Sequence, residues 1–426
     1  MNRIARGLIE LLLRRVRSGT LVLIGPDSLR RYGRGAPSVT VTVRSPRAWR
    51  SLLRGSLGLA DSYAAGMWET GDLTSVIRIV ARNAGAVDRW RARLAPLWAP
   101  LQHARELARP ATRRRRRSDI AAHYDLGDQL FARMLDPSLT YSCAYFERPG
   151  MSLEEAQRTK MDLICDKLAL GPEHRVLEIG TGWGSFALHA AATRGCRVTT
   201  TTISENQFAY ATEQARRAGL SDRVTVLPHD YRDLQGQYDR LVSIEMIEAV
   251  GWRHTPSFLK TCSRLLTADG AMLLQAITID DRIYDAEKTS RSFIKAYIFP
   301  GGSLPSLASL TRDLSRETDL RLTWLFELTE HYVPTLRLWR ESFLAHREEL
   351  ARLGYDERFQ RIWMLYLAYC EAGFAERRIG DFQLLLTKPA CRLGQEPAAG
   401  RGSAADSPAR NREPDFAGAW PGEPAG

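Results

Sequence analysis

Val176 to His189 reads Val-Leu-Glu-Ile-Gly-Thr-Gly-Trp-Gly-Ser-Phe-Ala-Leu-His, and this stretch decides the fold. The apolar residues before the first glycine predict a short buried strand. Gly180, Gly182 and Gly184 predict a tight turn, and Ser185 is expected to begin a helix. A strand, a glycine turn and a helix N-terminus together let a ligand approach the bare backbone. The stretch therefore predicts a ligand site at a strand-to-helix junction.

The chain around this stretch alternates strands with helices. Strands are predicted at 175–179, 197–203, 223–227, 238–244 and 270–277, and helices at 184–194, 205–219 and 255–266. This alternation predicts an α/β fold with a doubly wound, mostly parallel sheet. Ligands on such sheets bind at the carboxyl ends of the strands. That edge is expected to carry Gly180 to Gly184, Thr202 to Gln207, His229 to Arg232 and Glu245 to Glu248.

The composition of the chain predicts four regions. Residues 1–95 are expected to form a small mixed α+β domain, with strands at 21–24 and 39–43 and helices at 49–59 and 73–81. The Pro- and Arg-rich residues 96–118 predict a linker. Residues 119–390 are expected to form the catalytic domain, and residues 391–426 have the composition of a disordered tail.

Three further features are expected within the catalytic domain. A helix is predicted over 153–170, with Ser152 and Glu155 forming a capping box at its start. Residues 280–380 are more helical and rich in aromatic side chains, which suit either an ordinary core or the lining of an acyl-chain channel. A last strand is predicted at 381–388.

The charge of the chain is concentrated in its first quarter. The net charge is +11, of which residues 1–117 contribute +17 and the rest −6. A basic front, including the run Arg113 to Arg117, predicts an anionic partner, either nucleic acid or a lipid headgroup surface. Leu8 to Leu13 is too short for a signal peptide and suits an amphipathic surface helix. The six scattered cysteines indicate reduced thiols in a cytosolic protein and no metal site.

The kind of ligand follows from the glycine spacing and from the second strand. The spacing is Gly-x-Gly-x-Gly, and it differs from the Gly-x-Gly-x-x-Gly of dinucleotide sites. The acid that usually holds a dinucleotide ribose after the second strand is replaced by Thr202-Ile203-Ser204. With Glu178 before the first glycine, the turn resembles motif I of the S-adenosylmethionine-dependent methyltransferases.

Six segments, in order and at matching spacing, resemble the cyclopropane fatty acid synthase family. They are Tyr124 to Gly127, Tyr141 to Phe146, Glu178 to Gly184, Asp230 to Asp233, Tyr297 to Gly302 and Leu304 to Ser306. The resemblance implies a class I S-adenosylmethionine methyltransferase fold and methyl transfer to a cis double bond in an acyl chain of a membrane phospholipid, forming a cyclopropane. A sulfonium methyl is electrophilic enough for an alkene to attack it directly. The resulting carbocation requires a dry site, aromatic faces and a base.

The resemblance also assigns residues. The base in the family is a bound bicarbonate, which would lie against Cys143, Glu248, Gln275, the backbone of Ile277 and Tyr332. The methyl donor would contact Tyr141, Ser142, Glu178, Gly180, Gly182, Gly184, Thr202, Ile203, Gln207 and Asp230. Gln275 departs from the histidine usual in the family. Since glutamine cannot titrate, the cation could lose its proton from another carbon, giving a methylene- or methyl-branched chain instead.

The sequence leaves other functions open. One is methylation of another small molecule or of RNA, although no nucleic-acid-binding module is recognisable and nucleic acid is not expected as a partner. Another is a lipid-binding protein without catalytic activity, which only Gln275 favours. The family resemblance implies that the protein lies in the cytoplasm, peripherally on the inner face of the membrane, with an anionic membrane surface as its partner. The basic domain of residues 1–95 would then associate with this lipid surface. It also implies a homodimer formed through the amino-terminal domain.

Overall fold

The computed structural model describes residues 2–25, 28–85 and 127–393. The predicted linker at 96–118, with Arg113 to Arg117, lies outside the described residues. So do Tyr124 to Leu126 and the predicted tail from residue 394 onward.

The amino-terminal unit is a four-stranded sheet with helices packed around it. Its strands run in the order β2-β1-β3-β4, with β1 and β3 parallel and the other pairs antiparallel. The strands are β1 (Gly19–Gly25), β2 (Ser28–Arg34), β3 (Ser38–Val43) and β4 (Trp68–Thr70), and the helices are α1 (Asn2–Leu13), α2 (Arg47–Leu52), α3 (Ser56–Ala64) and α4 (Leu73–Asn83).

This unit differs from the sequence prediction in two places. The single helix expected over 49–59 is divided into α2 and α3, because Gly55 turns the chain with φ at +66°. Strands β2 and β4 were not predicted. In β2 only Tyr32 is buried, so this edge strand lacks the alternation of apolar and polar residues by which a strand is recognised.

The catalytic unit contains a seven-stranded sheet in the order β10-β11-β9-β8-β5-β6-β7. Its strands from β5 to β9 pair in parallel, and β11 and β10 pair antiparallel at one edge. The predicted doubly wound, mostly parallel α/β fold is confirmed. The strands are β5 (Arg175–Ile179), β6 (Arg197–Thr201), β7 (Val224–Leu227), β8 (Tyr238–Ile244), β9 (Leu266–Ile279), β10 (Arg321–Glu327) and β11 (Ile379–Thr387). Strand β10 lies inside the region expected to be helical.

Helices cover both faces of this sheet. They are α5 (Asp128–Met134), α6 (Leu153–Lys167), α7 (Ser185–Arg194), α8 (Glu205–Arg217), α9 (Ile247–Val250), α10 (Thr255–Leu265), α11 (Asp281–Glu287), α12 (Leu307–Glu317), α13 (Thr329–Ala345), α14 (Arg347–Arg352) and α15 (Glu357–Ala375). Helix α6 begins with the predicted capping box. It ends three residues early because Ala169 has a φ of +47°. Among the described helices, none has both the length and the apolarity needed to cross a bilayer.

The register of the central strands brings polar side chains into the middle of the sheet. Gln275 of β9 pairs with Ile244 of β8 on one side and with Gln383 of β11 on the other. Both glutamines are fully buried, whereas their neighbours Leu274 and Leu384 contribute to the apolar core. Buried amides require hydrogen-bond partners, so this part of the sheet imposes a polar network on the residues around it.

The two units are joined by buried polar contacts between α4, α13 and α15. The Glu371 carboxylate of α15 accepts hydrogen bonds from Thr74 Oγ1 and Arg340 Nε, both at 3.1 Å. Glu376 accepts hydrogen bonds from Arg78 and Arg82, each at 2.8 Å. The amino-terminal unit is therefore held on the catalytic unit by specific side-chain contacts.

We expect Glu371→Gln to lower the free energy of unfolding by about 1–3 kcal/mol, because the buried contacts lose their charged acceptor. Glu357→Gln on the same helix is the matched control. Its carboxylate is exposed and lies 4.0 Å from Arg361, so its replacement should change stability by less than about 0.5 kcal/mol. Urea denaturation followed by circular dichroism measures both values. Equal stabilities for the two variants would contradict this account of the junction.

Candidate active site

The glycine turn after β5 has the backbone geometry that its sequence predicts. Gly180, Gly182 and Gly184 all have positive φ, at +104°, +51° and +93°. The amides of Gly180 and Thr181 donate to the carbonyl of Thr201 on β6, which fixes the turn against the neighbouring strand. Among the described residues, no atom lies within 4 Å of a Cβ placed on Gly182. The turn therefore leaves open space beside its backbone.

That space is part of a cavity of ≈ 1330 Å³, counted with its open mouth, at the carboxyl ends of the parallel strands. Nine of the ten residues expected to contact the methyl donor line it: Tyr141, Ser142, Glu178, Gly180, Gly182, Thr202, Ile203, Gln207 and Asp230. Gly184 is different, because it caps α7 and a Cβ there would lie 3.1 Å from the Cβ of Ala211. Gly184 does not belong to the cavity lining among the described residues, and a ligand contact at this position stays a prediction.

The polar groups of the cavity are held in fixed positions. Glu178 accepts a 2.6 Å hydrogen bond from Thr200, whose hydroxyl also lies 2.7 Å from that of Thr181. Burial raises the pKa of Glu178 to about 8. Gln207 accepts a 2.7 Å hydrogen bond from Thr202. These groups and the glycine amides fit a ligand such as S-adenosylmethionine, which carries an amino acid head and ribose hydroxyls.

Helix α6 fixes another part of the cavity lining. Its Lys160 Nζ donates to Ser142 Oγ at 2.6 Å, and its Gln157 Nε2 donates to the carbonyl of Ser142 at 2.8 Å. The Tyr141 hydroxyl lies 2.7 Å from that of Tyr366 on α15. Lys160 is fully buried, and burial lowers the pKa of its ammonium group. Sequence reasoning missed this lysine, although a cation on the apolar face of a helix was a usable signal.

Glu245 is the centre of the polar cluster below the cavity. Its Oε1 accepts the Cys143 amide at 2.8 Å and Gln275 Nε2 at 2.9 Å, and its Oε2 accepts the Tyr332 hydroxyl at 2.5 Å. The residue directly follows β8 and has a φ of +48°, which is rare for a side chain other than glycine. The sequence analysis placed Glu245 at this edge of the sheet, but it gave Glu248 as the acid of the bicarbonate site.

The groups expected to hold bicarbonate form hydrogen bonds with other groups of the protein. Besides the three donors to Glu245, the Ile277 amide donates to Glu248 Oε1 at 2.6 Å. The second hydrogen of Gln275 Nε2 is directed to Asp381 Oδ2 at 2.9 Å, and Gln383 Nε2 donates to Gln275 Oε1 at 3.0 Å. The Cys143 thiol lies 3.3 Å from the carbonyl of Ala144. A bicarbonate ion at this position would face carboxylates, and the donors named above are already bonded to other groups of the protein. These residues therefore do not fit bicarbonate.

The charges of this cluster compete with one another. Burial raises the pKa of Glu248 to about 8, and the charge of Glu245 adds to that rise. The pKa of Asp381 is raised well above its usual range, first by burial and then by Glu245 and Glu248. Burial also raises the pKa of Glu245, but Tyr332, the Cys143 amide and Lys160 oppose this. A single negative charge is thus best accommodated on Glu245.

Aromatic rings surround the cluster. Tyr332 stacks on Phe374 at a centroid distance of 4.2 Å, and Tyr141 lies 5.2 Å from Trp339. Phe299 meets Tyr366 edge-on at 5.9 Å. Ring faces stabilise a nearby cation and exclude water. Within the described part of the chain, no group of three or more histidine, cysteine or acidic side chains is arranged to hold a metal ion.

Comparison with known proteins identifies the family. Residues 111–384 match the model of the mycolic acid cyclopropane synthetase family. The chain belongs to this family. It is 39% identical to tuberculostearic acid methyltransferase UfaA1 of Mycobacterium tuberculosis, over 83% of this chain and 84% of that protein. It is 36% identical to the cyclopropane-fatty-acyl-phospholipid synthase of Escherichia coli, over 83% of this chain and 89% of that protein.

A solved structure gives the same assignment. Mycolic acid cyclopropane synthase CmaA1 complexed with SAH and CTAB is 34% identical and superposes with a TM-score of 0.60, covering 64% of this chain and 98% of the other. The protein is an S-adenosylmethionine-dependent methyltransferase with the class I fold, and S-adenosylmethionine is its methyl donor. The roles of individual residues in this family member remain predictions.

We expect Gly182→Val to weaken S-adenosylmethionine binding at least tenfold, because the new side chain would fill the space beside the turn. Gly219→Val is the matched control. Gly219 also has positive φ, at +67°, and its Cβ would meet no described atom within 4 Å, but it does not belong to the cavity lining among the described residues. Both variants bear similar backbone strain, of about 1–2 kcal/mol. Isothermal titration calorimetry should show a loss of affinity in Gly182→Val alone, and equal losses would refute the assignment.

Proposed function

We propose that this methyltransferase acts on a cis double bond in an acyl chain of a membrane phospholipid and forms a cyclopropane fatty acid. The observation that carries the proposal is the half-buried Glu245, whose carboxylate accepts three hydrogen bonds and which borders the methyl-donor cavity near the stacked rings of Tyr332 and Phe374. An alkene needs no base in order to attack a sulfonium methyl group. The carbocation that follows needs stabilisation, exclusion of water and a proton acceptor, and these are the properties of this cluster.

The chain's own residues divide this work. Cofactor-binding groups on the glycine turn and on Thr202 to Gln207 orient the methyl donor, which supplies an electrophilic methyl group. Tyr141 and Ser142 form another part of the cavity lining, and they are fixed by Tyr366 and Lys160. Tyr332 and Phe374 present aromatic faces next to the carboxylate cluster. This arrangement supports a reaction in which a charged carbon intermediate forms away from water.

A methylene- or methyl-branched product is the second candidate. Gln275 supports it, because this residue stands where cyclopropane-forming relatives usually have histidine and is bonded on both sides in the sheet. The 39% identity with a protein named tuberculostearic acid methyltransferase supports it as well. The first step is the same for both products, and the carbon that loses the proton decides between them.

The test uses S-adenosylmethionine with an isotopically labelled methyl group and vesicles of phosphatidylglycerol with cis-monounsaturated chains. Mass spectrometry of the released fatty acids should show one labelled carbon per modified chain, in a ring or in a branch. Parallel incubations contain total RNA or free fatty acid. Label in RNA alone would replace the proposal with RNA methylation, and donor binding without label in any acyl chain would refute it.

We propose that helix α1 docks the protein on the inner face of the membrane. Ile4, Leu8, Leu11 and Leu12 are exposed on one side of this helix, with Ile4 70% accessible. Their spacing of four, three and one residues gives a continuous apolar stripe, and Ala5, Ile9 and Leu13 pack inward. Exposed arginines flank the stripe, at positions 3, 14 and 15. An apolar stripe with arginines beside it matches an anionic bilayer surface. A homodimer through this unit stays a prediction.

We expect Leu8→Glu with Leu12→Glu to reduce binding to anionic vesicles at least tenfold, because two charges would enter the interface. The control is Leu344→Glu with Leu353→Glu, two leucines on the catalytic unit that are exposed to a similar degree. Vesicle flotation measures both, and turnover of a detergent-solubilised lipid should remain near the wild-type rate. Unchanged vesicle binding by the α1 variant would contradict the proposed docking surface.

We expect Gln275→His to raise the cyclopropane fraction of the product. An imidazole can accept a proton, whereas the present amide is fixed between Glu245, Asp381 and Gln383. The labelled-methyl assay measures ring and branched products from the same sample. The control is Gln360→His. Gln360 accepts a hydrogen bond from Arg347 and is distant from Gln275 in the sequence, so its replacement should leave the ratio of ring to branched product unchanged. An unaltered ratio in Gln275→His would remove Gln275 as the determinant of the product.

A further inference from the structure

We propose that Glu245 is the base that removes the proton from the carbocation. A side chain of the protein would then take the role of base that the family resemblance gives to bound bicarbonate. This inference rests on the proposed acyl-chain function. It adds a catalytic residue that acts after methyl transfer and makes the reaction independent of dissolved carbonate.

Three hydrogen-bond donors converge on the Glu245 carboxylate. The Cys143 amide, the Tyr332 hydroxyl and the Gln275 amide group come from a loop, from α13 and from β9, and all three point to the Glu245 carboxylate. Three donors around one carboxylate form an anion site, and here the anion is covalently part of the chain. The same three residues were expected to hold bicarbonate.

Glu245 is the member of the cluster that borders the methyl-donor cavity. Among the described residues that line this cavity, Glu245 is present, whereas Cys143, Gln275 and Tyr332 are absent. Of these four residues, Glu245 is therefore the one beside the space where the methyl donor is expected to bind.

The backbone of Glu245 is held in an uncommon conformation. Its φ is +48°, and its amide donates to the carbonyl of Gln275 at 2.9 Å. A glutamate in this strained conformation persists only where its surroundings enforce it. The conformation turns the side chain of the first residue after β8 into the cluster. Glu248, three residues later, is bonded instead to the Ile277 amide.

The neighbouring acids are poorer candidates. Glu248 Oε2 and Asp381 Oδ1 are buried without a hydrogen-bond partner among the described residues. A carboxylate needs donors on both oxygens when it is charged in a dry site. Glu245 has donors on both, and the buried Lys160 ammonium favours its charged form. At neutral pH Glu248 is mostly protonated, since burial raises its pKa to about 8.

The proposed reaction has two steps, methyl transfer and proton loss. The π electrons of the alkene form a bond to the methyl carbon, and the carbon–sulfur pair stays on sulfur, giving S-adenosylhomocysteine and a carbocation. Glu245 then takes a proton from the transferred methyl group. The C–H electron pair closes the cyclopropane, or forms a double bond if the proton leaves a neighbouring carbon. The protonated carboxyl group returns its proton to solvent through the cavity mouth after product release.

The experiment compares wild type, Glu245→Gln and Glu245→Gly in buffer stripped of carbon dioxide, with and without added bicarbonate or formate. The wild-type rate should be unaffected by stripping. Glu245→Gln should bind S-adenosylmethionine normally but lose at least about 100-fold in turnover, the scale of a general base. Glu245→Gly suits the positive φ and opens space among the three donors. Added formate or bicarbonate should therefore raise the turnover of Glu245→Gly at least tenfold over its turnover without either anion.

The pH profile is an independent readout. The base acts when deprotonated, so wild-type turnover should rise as pH increases through the raised pKa of Glu245. Glu245→Gln should lose that limb of the profile, whereas a purely structural role would leave its shape unchanged.

Three results would overturn the inference: a wild-type enzyme that loses activity without bicarbonate and regains it on addition, near-normal turnover by Glu245→Gln, or a Glu245→Gly variant that binds the donor but gains nothing from either anion. Absence of labelled product from the wild type under all conditions would instead refute the proposed function. The two failures are therefore distinguishable.

Discussion

The convergence of three hydrogen-bond donors on the half-buried Glu245 carboxylate is the constraint on which the arrangement of the catalytic unit depends. A carboxylate removed from water costs several kcal/mol unless donors replace the lost solvent. Here the replacement comes from the loop at Cys143, from β9 and from α13, so these elements must all approach the end of β8. The aromatic rings around Tyr332 complete the enclosure. The cluster thereby fixes how the loop and the helices are placed relative to the parallel sheet.

The antiparallel strand β11 extends this network. Gln383 and Asp381 face Gln275 from β11 and satisfy both ends of its amide. A histidine in this place would present two ring nitrogens instead of an amide with two hydrogens and a carbonyl. The choice of glutamine therefore belongs together with the acid at position 245 and the polar residues on β11. These residues act as one network, and a change at one position alters the partners of the others.

The sequence was sufficient for features that are encoded locally. The strand, glycine turn and helix at Val176 to His189 and the capping box at Ser152 follow from short patterns. The nine residues of the cavity lining were assigned by the family resemblance. The site cluster was less accessible. Glu245 and Glu248 stand three residues apart in one segment. Which of the two carboxylates accepts the three donors depends on the positive φ at Glu245 and on the pairing of β8 with β9. Edge strands β2 and β10 were missed because exposed strands lack a clear apolar alternation.

The buried contact between Thr74 and Glu371 has a consequence for how a lipid reaches the cavity. Helix α15 carries both Glu371, which holds the amino-terminal unit, and Tyr366, which contacts Tyr141 at the cavity wall. The surface helix α1 and the site are thus connected through packed secondary structure, not only through the chain between the units. With α1 lying on a bilayer, this connection would set the height and tilt of the cavity above the headgroups. The acyl chain would then have to leave the membrane over a fixed length to reach the cavity. That length would select double bonds at one distance from the headgroup.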